Sequence, residues 1–276
     1  MHIIHAIILG IVEGITEFLP ISSTGHLTIA EKLLGYQVDA ASITAFTAVV
    51  QVGAIAAAVL FFRKDIVRIV TGWWTGLWHD SKRGNDYYMG WYVIIGSVPI
   101  AIIGLLLKPV IETTFRGLWI VALGLIVWSV VMFVADRVGK ETRHEKDMTW
   151  KDAVYMGLMQ CAALIPGVSR SGATISAGLL RDIDRVSATR LSFFLGIPAL
   201  LAAGGLQAVT HASQISTHVG WGSMIAGILA SFVVGYASIA WLLKFVSHHN
   251  FTPFIIYRVT LGAAILVAII TGLTSV

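Results

Sequence analysis

Residues 3–26 read IIHAIILGIVEGITEFLPISSTGH, an apolar run broken by Glu13, Glu17 and Pro20. A hydrocarbon core of about 30 Å needs roughly 20 apolar residues per helix, so this stretch suits a membrane without reading as a clean span. A second stretch, 153–165, is short and runs into Pro166 and Gly167. Six other runs read as complete spans: Thr44 to Phe62, Tyr87 to Leu107, Leu118 to Ala135, Leu191 to Val209, Ser223 to Leu243 and Phe254 to Val276, the last carrying Arg258. The rest of the composition agrees. Of 276 residues 57% are hydrophobic and 12% charged, against roughly 25% charge in a soluble domain, and mean hydropathy is +0.82. An all-α integral membrane protein is expected, with six transmembrane helices and two re-entrant helical hairpins.

Composition also excludes partners. A lone cysteine, Cys161, rules out an internal disulfide and a Cys-based zinc or iron-sulfur site. The net charge of +4 comes from dispersed basic residues with no Lys/Arg-rich run, so no nucleic-acid partner is expected. The N-terminal stretch lacks the positive n-region of a signal peptide and is expected to stay in the mature protein. No linker or low-complexity tract divides the chain, and 1–276 reads as one membrane domain.

The Lys and Arg residues give an orientation. If each broken stretch dips in and returns to its own side, fourteen basic residues share one face, among them Arg63, Arg68, Arg143, Lys151, Arg181 and Arg190. Three, Lys32, Lys108 and Arg116, lie on the other, and Arg170 and Arg258 fall inside membrane segments. The charge-rich face is expected to be cytoplasmic, with both termini outside. Full spanning by the broken stretches would reverse the second half and weaken this asymmetry, so the charge count favours re-entrant hairpins.

A shift of 147 residues aligns the chain with itself. Gly10 falls on Gly157, Ser22 on Ser169, Gly25 on Gly172, Ala30 on Ala177, Leu33 on Leu180 and Phe46 on Phe193. Residues 1–146 and 147–276 then form two repeats of one hairpin and three spans each, and the odd number of spans inverts the second. Gly/Pro-interrupted segments at matching positions of two such halves point to a buried site near the midplane.

The residues left in apolar surroundings carry the chemistry. Glu13 and Glu17 are four apart and share a helix face. A carboxylate at the bilayer centre costs about 2.5–3.5 kcal/mol, so a divalent cation, Mg²⁺ or Ca²⁺, an arginine or a proton must offset it. In the first loop Pro20 stops the helix, Gly25 permits a tight path, and Ser22, Ser23 and Thr24 bracket a helix start whose free N–H groups suit an anion. His26 adds a base or nucleophile. The second loop, residues 166–172, replaces Ser23 by Arg170 between Ser169 and Ser171, and its guanidinium needs the glutamate pair or a phosphate as partner. Gln51 offers a further donor to a ligand oxygen, although interhelical hydrogen bonding explains it as well. Arg258 either reaches the same site or snorkels to the cytoplasmic headgroups, and snorkelling is the stronger expectation. Trp73, Trp74 and Trp78 read as an interfacial amphipathic helix.

Residues 13–26, EGITEFLPISSTGH, resemble the E-G-x-T-E-F-L-P-[VI]-S-S-T-G-H motif of bacterial undecaprenyl-diphosphate phosphatases, the bacitracin-resistance family. Residues 166–174, PGVSRSGAT, resemble its second motif, P-G-x-S-R-S-G-A-T, and the likeness extends over essentially the whole chain. The resemblance implies a phosphatase of the bacterial cytoplasmic membrane. Its substrate would be the polyprenyl lipid undecaprenyl diphosphate, hydrolysed to the monophosphate on the outer face, which recycles the carrier for cell-wall synthesis and confers bacitracin resistance. It implies a divalent cation, Mg²⁺ or Ca²⁺, with Glu13, Glu17, Ser23, His26 and Arg170 as functional positions. Ser22, Thr24 and Ser169 follow as phosphate ligands. The expected mechanism is attack on the terminal phosphorus by Ser23 or water with His26 as base, while Glu13 and Glu17 hold the metal or relay protons. Ser23, His26 and water remain open as nucleophile, and a homodimer is left open too. The competing non-enzyme reading is a polyprenyl-phosphate flippase or ion-coupled transporter, since inverted repeats with broken helices are also a carrier architecture. Lipid phosphatases of the phosphatidic acid type would place a His six residues after the Arg, where Ser176 stands.

Overall fold

The first broken stretch folds as two helices, α1 (Ile3–Thr16) and α2 (Ser23–Leu33), and the second as α7 (Trp150–Gln160) and α8 (Arg170–Leu180). The computed structural model describes residues 1–38, 40–107, 117–210 and 219–272. Lys108 and Arg116, counted on the charge-poor face, lie outside the described residues, as does the end of the last expected span, 273–276. The remaining helices are α3 (Ala41–Phe61), α4 (Arg63–Trp78), α5 (Asn85–Leu106), α6 (Leu118–Val138), α9 (Arg185–Thr210), α10 (Trp221–Val246) and α11 (Thr252–Ile270). Among the described residues there is no strand, only one isolated bridge between Arg143 and Ile183.

Six helices, α3, α5, α6, α9, α10 and α11, are long and apolar enough to cross a membrane. The chain is an all-α integral membrane protein with six such helices. Their bounds follow the expected spans except in α11, which ends at Ile270 before a turn at Thr271 and Gly272 and not at Val276, and in α9, which starts at Arg185 and not near Leu191. Ion pairs explain the extra turns: Arg185 binds Asp136 at 2.8 Å, and Arg190 binds Glu145 at 2.8 Å and Asp65 at 3.0 Å. A charged helix end satisfied this way costs little, so the helix runs on beyond its apolar part.

Both broken pairs turn back on themselves. Asp152, in the first turn of α7, is bound by Arg143 at 2.6 Å and by Arg181, just past the end of α8, at 2.8 Å. Start and finish of the hairpin therefore meet at one end of the bundle. In the first hairpin His5 Nδ1 lies 2.9 Å from the Tyr36 hydroxyl, so α1 begins beside the point where α2 has ended.

Close backbone contact seats each hairpin. A Cβ on Gly10 of α1 would lie 2.3 Å from the Gly227 carbonyl of α10, and one on Gly157 of α7 would lie 2.5 Å from the Gly96 carbonyl of α5. Small residues permit the close approach on which helix association depends in lipid. Arg258 differs from the snorkelling expectation: it is fully buried, because α11 packs on α6 with this side chain turned inward, away from any headgroup.

Candidate active site

Each hairpin loop ends on a serine in a strained backbone. Ser22 has φ 77° and Ser169 has φ 75°, a left-handed conformation that a non-glycine residue adopts at a cost of about 1–3 kcal/mol. In both, the side chain then caps the following helix: Ser22 Oγ accepts from the Gly25 N–H and Ser169 Oγ from the Gly172 N–H, at 3.4 and 3.2 Å. The strained caps aim the first turns of α2 and α8 into a shared cavity of about 160 Å³. Its walls include Thr16, Glu17, Ser22, Ser23, Thr24 and Gln51 from the first half with Ser169 and Arg170 from the second. A larger recess of about 340 Å³ at the charge-rich end contains Arg68, Asp86 and Glu145, which pair among themselves, and no residue of either loop.

Within the cavity three side chains form a chain of contacts. Ser23 Oγ donates to Glu17 Oε2 at 2.8 Å, and Glu17 Oε1 accepts from Arg170 Nη2 at 3.2 Å. Arg170 Nη1 donates to the Ser192 carbonyl at 2.9 Å, while its Nε is buried without a hydrogen-bond partner among the described residues. The guanidinium thus retains a free donor for an anion. Gly196 of α9 makes the room, since a Cβ there would sit 1.9 Å from Arg170 Nη1.

Other expected site residues stand differently. Glu13 is completely buried, and neither carboxylate oxygen has a hydrogen-bond partner among the described residues. Two bare hard oxygens one helical turn from Glu17 fit a Mg²⁺ or Ca²⁺ ion. No group of three His, Cys, Asp or Glu assembles among the described residues, so substrate oxygens and water would complete such a shell. Ser171 is buried and donates to the Leu19 carbonyl at 3.1 Å, which ties the loops together and takes its hydroxyl off the cavity wall.

His26 is held away from Ser23. Its Nδ1 lies 2.7 Å from the Ser22 carbonyl, an acceptor only, so Nδ1 carries the proton; Nε2 then accepts from the Tyr257 hydroxyl at 2.7 Å. The expected base for Ser23 is thus hydrogen-bonded elsewhere, and the carboxylate that Ser23 meets is that of Glu17. Tyr257, Ser192 and Gly196 were not singled out in the sequence. Only Tyr257 carried a signal, as the neighbour of Arg258.

The chain is thus a polytopic all-α membrane protein whose two broken hairpins bring a serine, a carboxylate and an arginine to one cavity. Residues 6–274 match the family model described as bacitracin resistance protein BacA, and the chain belongs to that family. It is 54% identical to Undecaprenyl-diphosphatase 3 of Frankia casuarinae, over 100% of this chain and 99% of that one. Identity to the Undecaprenyl-diphosphatase of Cutibacterium acnes is 54% over the full length of both, and to that of Acidothermus cellulolyticus 50% over 99% of each.

Proposed function

We propose that the chain is a phosphatase that hydrolyses undecaprenyl diphosphate to the monophosphate and phosphate in the bacterial cytoplasmic membrane. The observation that carries this reading is the contact chain Ser23–Glu17–Arg170, which joins a hydroxyl nucleophile, a base and an anion clamp across two loops. The relatives named for this activity, at about half identity over their full length, support it.

Ser23 attacks the terminal phosphorus as Glu17 takes the hydroxyl proton. The Oγ–P bond forms, the bridging P–O bond breaks, and the lipid monophosphate leaves. Arg170 holds the transferring phosphoryl oxygens through its unpartnered Nε, and Thr24 and the free N–H groups of the first turns of α2 and α8 surround the rest. Glu17 passes its proton to the departing monophosphate; water then attacks the phosphoserine with Glu17 again as base, the Oγ–P bond breaks, and Ser23 Oγ takes the proton back from Glu17 as phosphate departs. Glu13 and Glu17 would hold the divalent cation, which when bound offsets phosphate charge and polarises the bridging oxygen. The prenyl tail stays in lipid, which accounts for a site sunk in the bilayer.

The charge-rich end is taken as cytoplasmic, which puts both termini outside and the cavity open to the outer side. The halves 1–146 and 147–276 are read as inverted repeats, supported by the matched strained serines 147 residues apart and the matched glycine contacts of α1 and α7.

Acid quench of the purified protein turning over a polyprenyl diphosphate with Mg²⁺ should trap phosphate on Ser23, located by mass spectrometry. Single-step inversion at phosphorus with no trapped intermediate would overturn the covalent route.

A further inference from the structure

Arg258 has contacts that no step above uses. It is completely buried, yet its partners are neutral: Ser129 Oγ at 3.1 Å and the carbonyls of Pro20 (3.0 Å), Gly167 (2.9 Å), Gly124 and Leu125 (both 3.3 Å). No carboxylate lies within ion-pair distance of it among the described residues. Pro20 belongs to the first loop and Gly167 to the second, while Gly124, Leu125 and Ser129 belong to α6. One planar group therefore fixes both loops to the same helix. The neighbouring Tyr257 holds His26, at the far end of the first loop.

Two physical consequences follow. The fork holds the loop bearing Ser22 and Ser23 at a set distance from the loop bearing Ser169 and Arg170. Carbonyl dipoles solvate the guanidinium but do not cancel its charge, so an unneutralised cation stays behind the cavity in a low-dielectric interior.

We infer that Arg258 is a positioning residue that sets the spacing of the two loops, and that its uncompensated charge attracts the diphosphate without touching it. This inference rests on the phosphatase reading of the cavity.

The test uses the full chain in detergent with Mg²⁺ and a polyprenyl diphosphate, with inorganic diphosphate as a competing anion. Arg258→Gln removes fork and charge. It should lower kcat and raise both KM and the Ki for inorganic diphosphate, on the order of tenfold for the anion term. Arg258→Lys keeps the charge but cannot reach the same carbonyls, so kcat should fall while Ki stays at the wild-type value. A role confined to folding would lower both variants alike in melting temperature and kcat with Ki unmoved, which would overturn the inference, as would a wild-type Ki in folded Arg258→Gln. Should Arg258→Gln fail to fold, Ser129→Ala serves: it removes one acceptor and leaves the charge. Reduced kcat at unchanged Ki supports the inference, and wild-type kcat contradicts it. Failure of the phosphatase reading would look different, with no phosphate released by the wild type or full turnover in Arg170→Ala.

Discussion

At the scale of single residues, placement around Arg170 decides more than residue type. Its guanidinium fits only because position 196 lacks a Cβ, so Gly196→Ala pushes the far end of a flexible side chain and leaves the backbone alone. That variant should fold with a near-wild-type melting temperature and lose about 100-fold in kcat/KM, the size expected for displacing a clamp by an ångström. Unchanged turnover would show that Arg170 does not act where it lies. The motif residues were legible because charges and hydroxyls in apolar surroundings are conspicuous, and Glu17, Ser23 and Arg170 indeed lie together. A glutamate of the first hairpin as partner for Arg170 was legible too, but the partners of Ser23 and His26 were not. His26 is three residues from Ser23 along the chain, but the strained φ of Ser22 turns the helix start so that Ser23 meets Glu17 while His26 meets Tyr257, 231 residues away. Gly196 gave no sign either, since an absent side chain matters only once its neighbour is known.

At the scale of elements, the re-entrant hairpin α7–α8 is closed by Asp152. Burial would by itself raise its carboxyl, but hydrogen bonds from Arg143, Thr149 and Arg181 outweigh this and hold it well below the usual carboxylate range. A carboxyl lower in the folded than in the unfolded state stabilises fully above its unfolded value near 4 and loses that stabilisation as pH falls toward the folded value. Asp152→Asn should therefore cost about 1–2 kcal/mol at neutral pH, because it removes the charge partner of two partly exposed arginines that water continues to solvate. The gap between variant and wild type in thermal stability should narrow progressively below about pH 4. A gap independent of pH would mean that the ion pairs do not hold the hairpin shut. The hairpins themselves were legible as apolar stretches too short or too interrupted to cross, and six spans followed from length and hydropathy. The early start of α9 was not, because Arg185 and Arg190 look like loop charges until Asp136, Asp65 and Glu145 are seen to meet them.

At the scale of the whole molecule, two halves that each carry an incomplete set of groups supply one cavity. The first brings Glu17 and Ser23 to its wall, with Glu13 buried one helical turn before Glu17, and the second brings Arg170; the positions matching Glu13 and Glu17 hold Gln160 and Leu164. Arg258 was misjudged for the same reason that makes it informative. An arginine one turn inside a span usually snorkels, whereas here the carbonyls of two loops and α6, all distant in sequence, gather around it. The central claim, that one hydrolytic centre is built jointly by both loops, is tested most directly by a double-mutant cycle on Glu17→Gln and Arg170→Lys, read as phosphate release from undecaprenyl diphosphate. Each single change should lower kcat by about 100-fold or more, and the double variant should be no worse than the poorer single one. Losses that simply multiply, or wild-type turnover in either single variant, would contradict it.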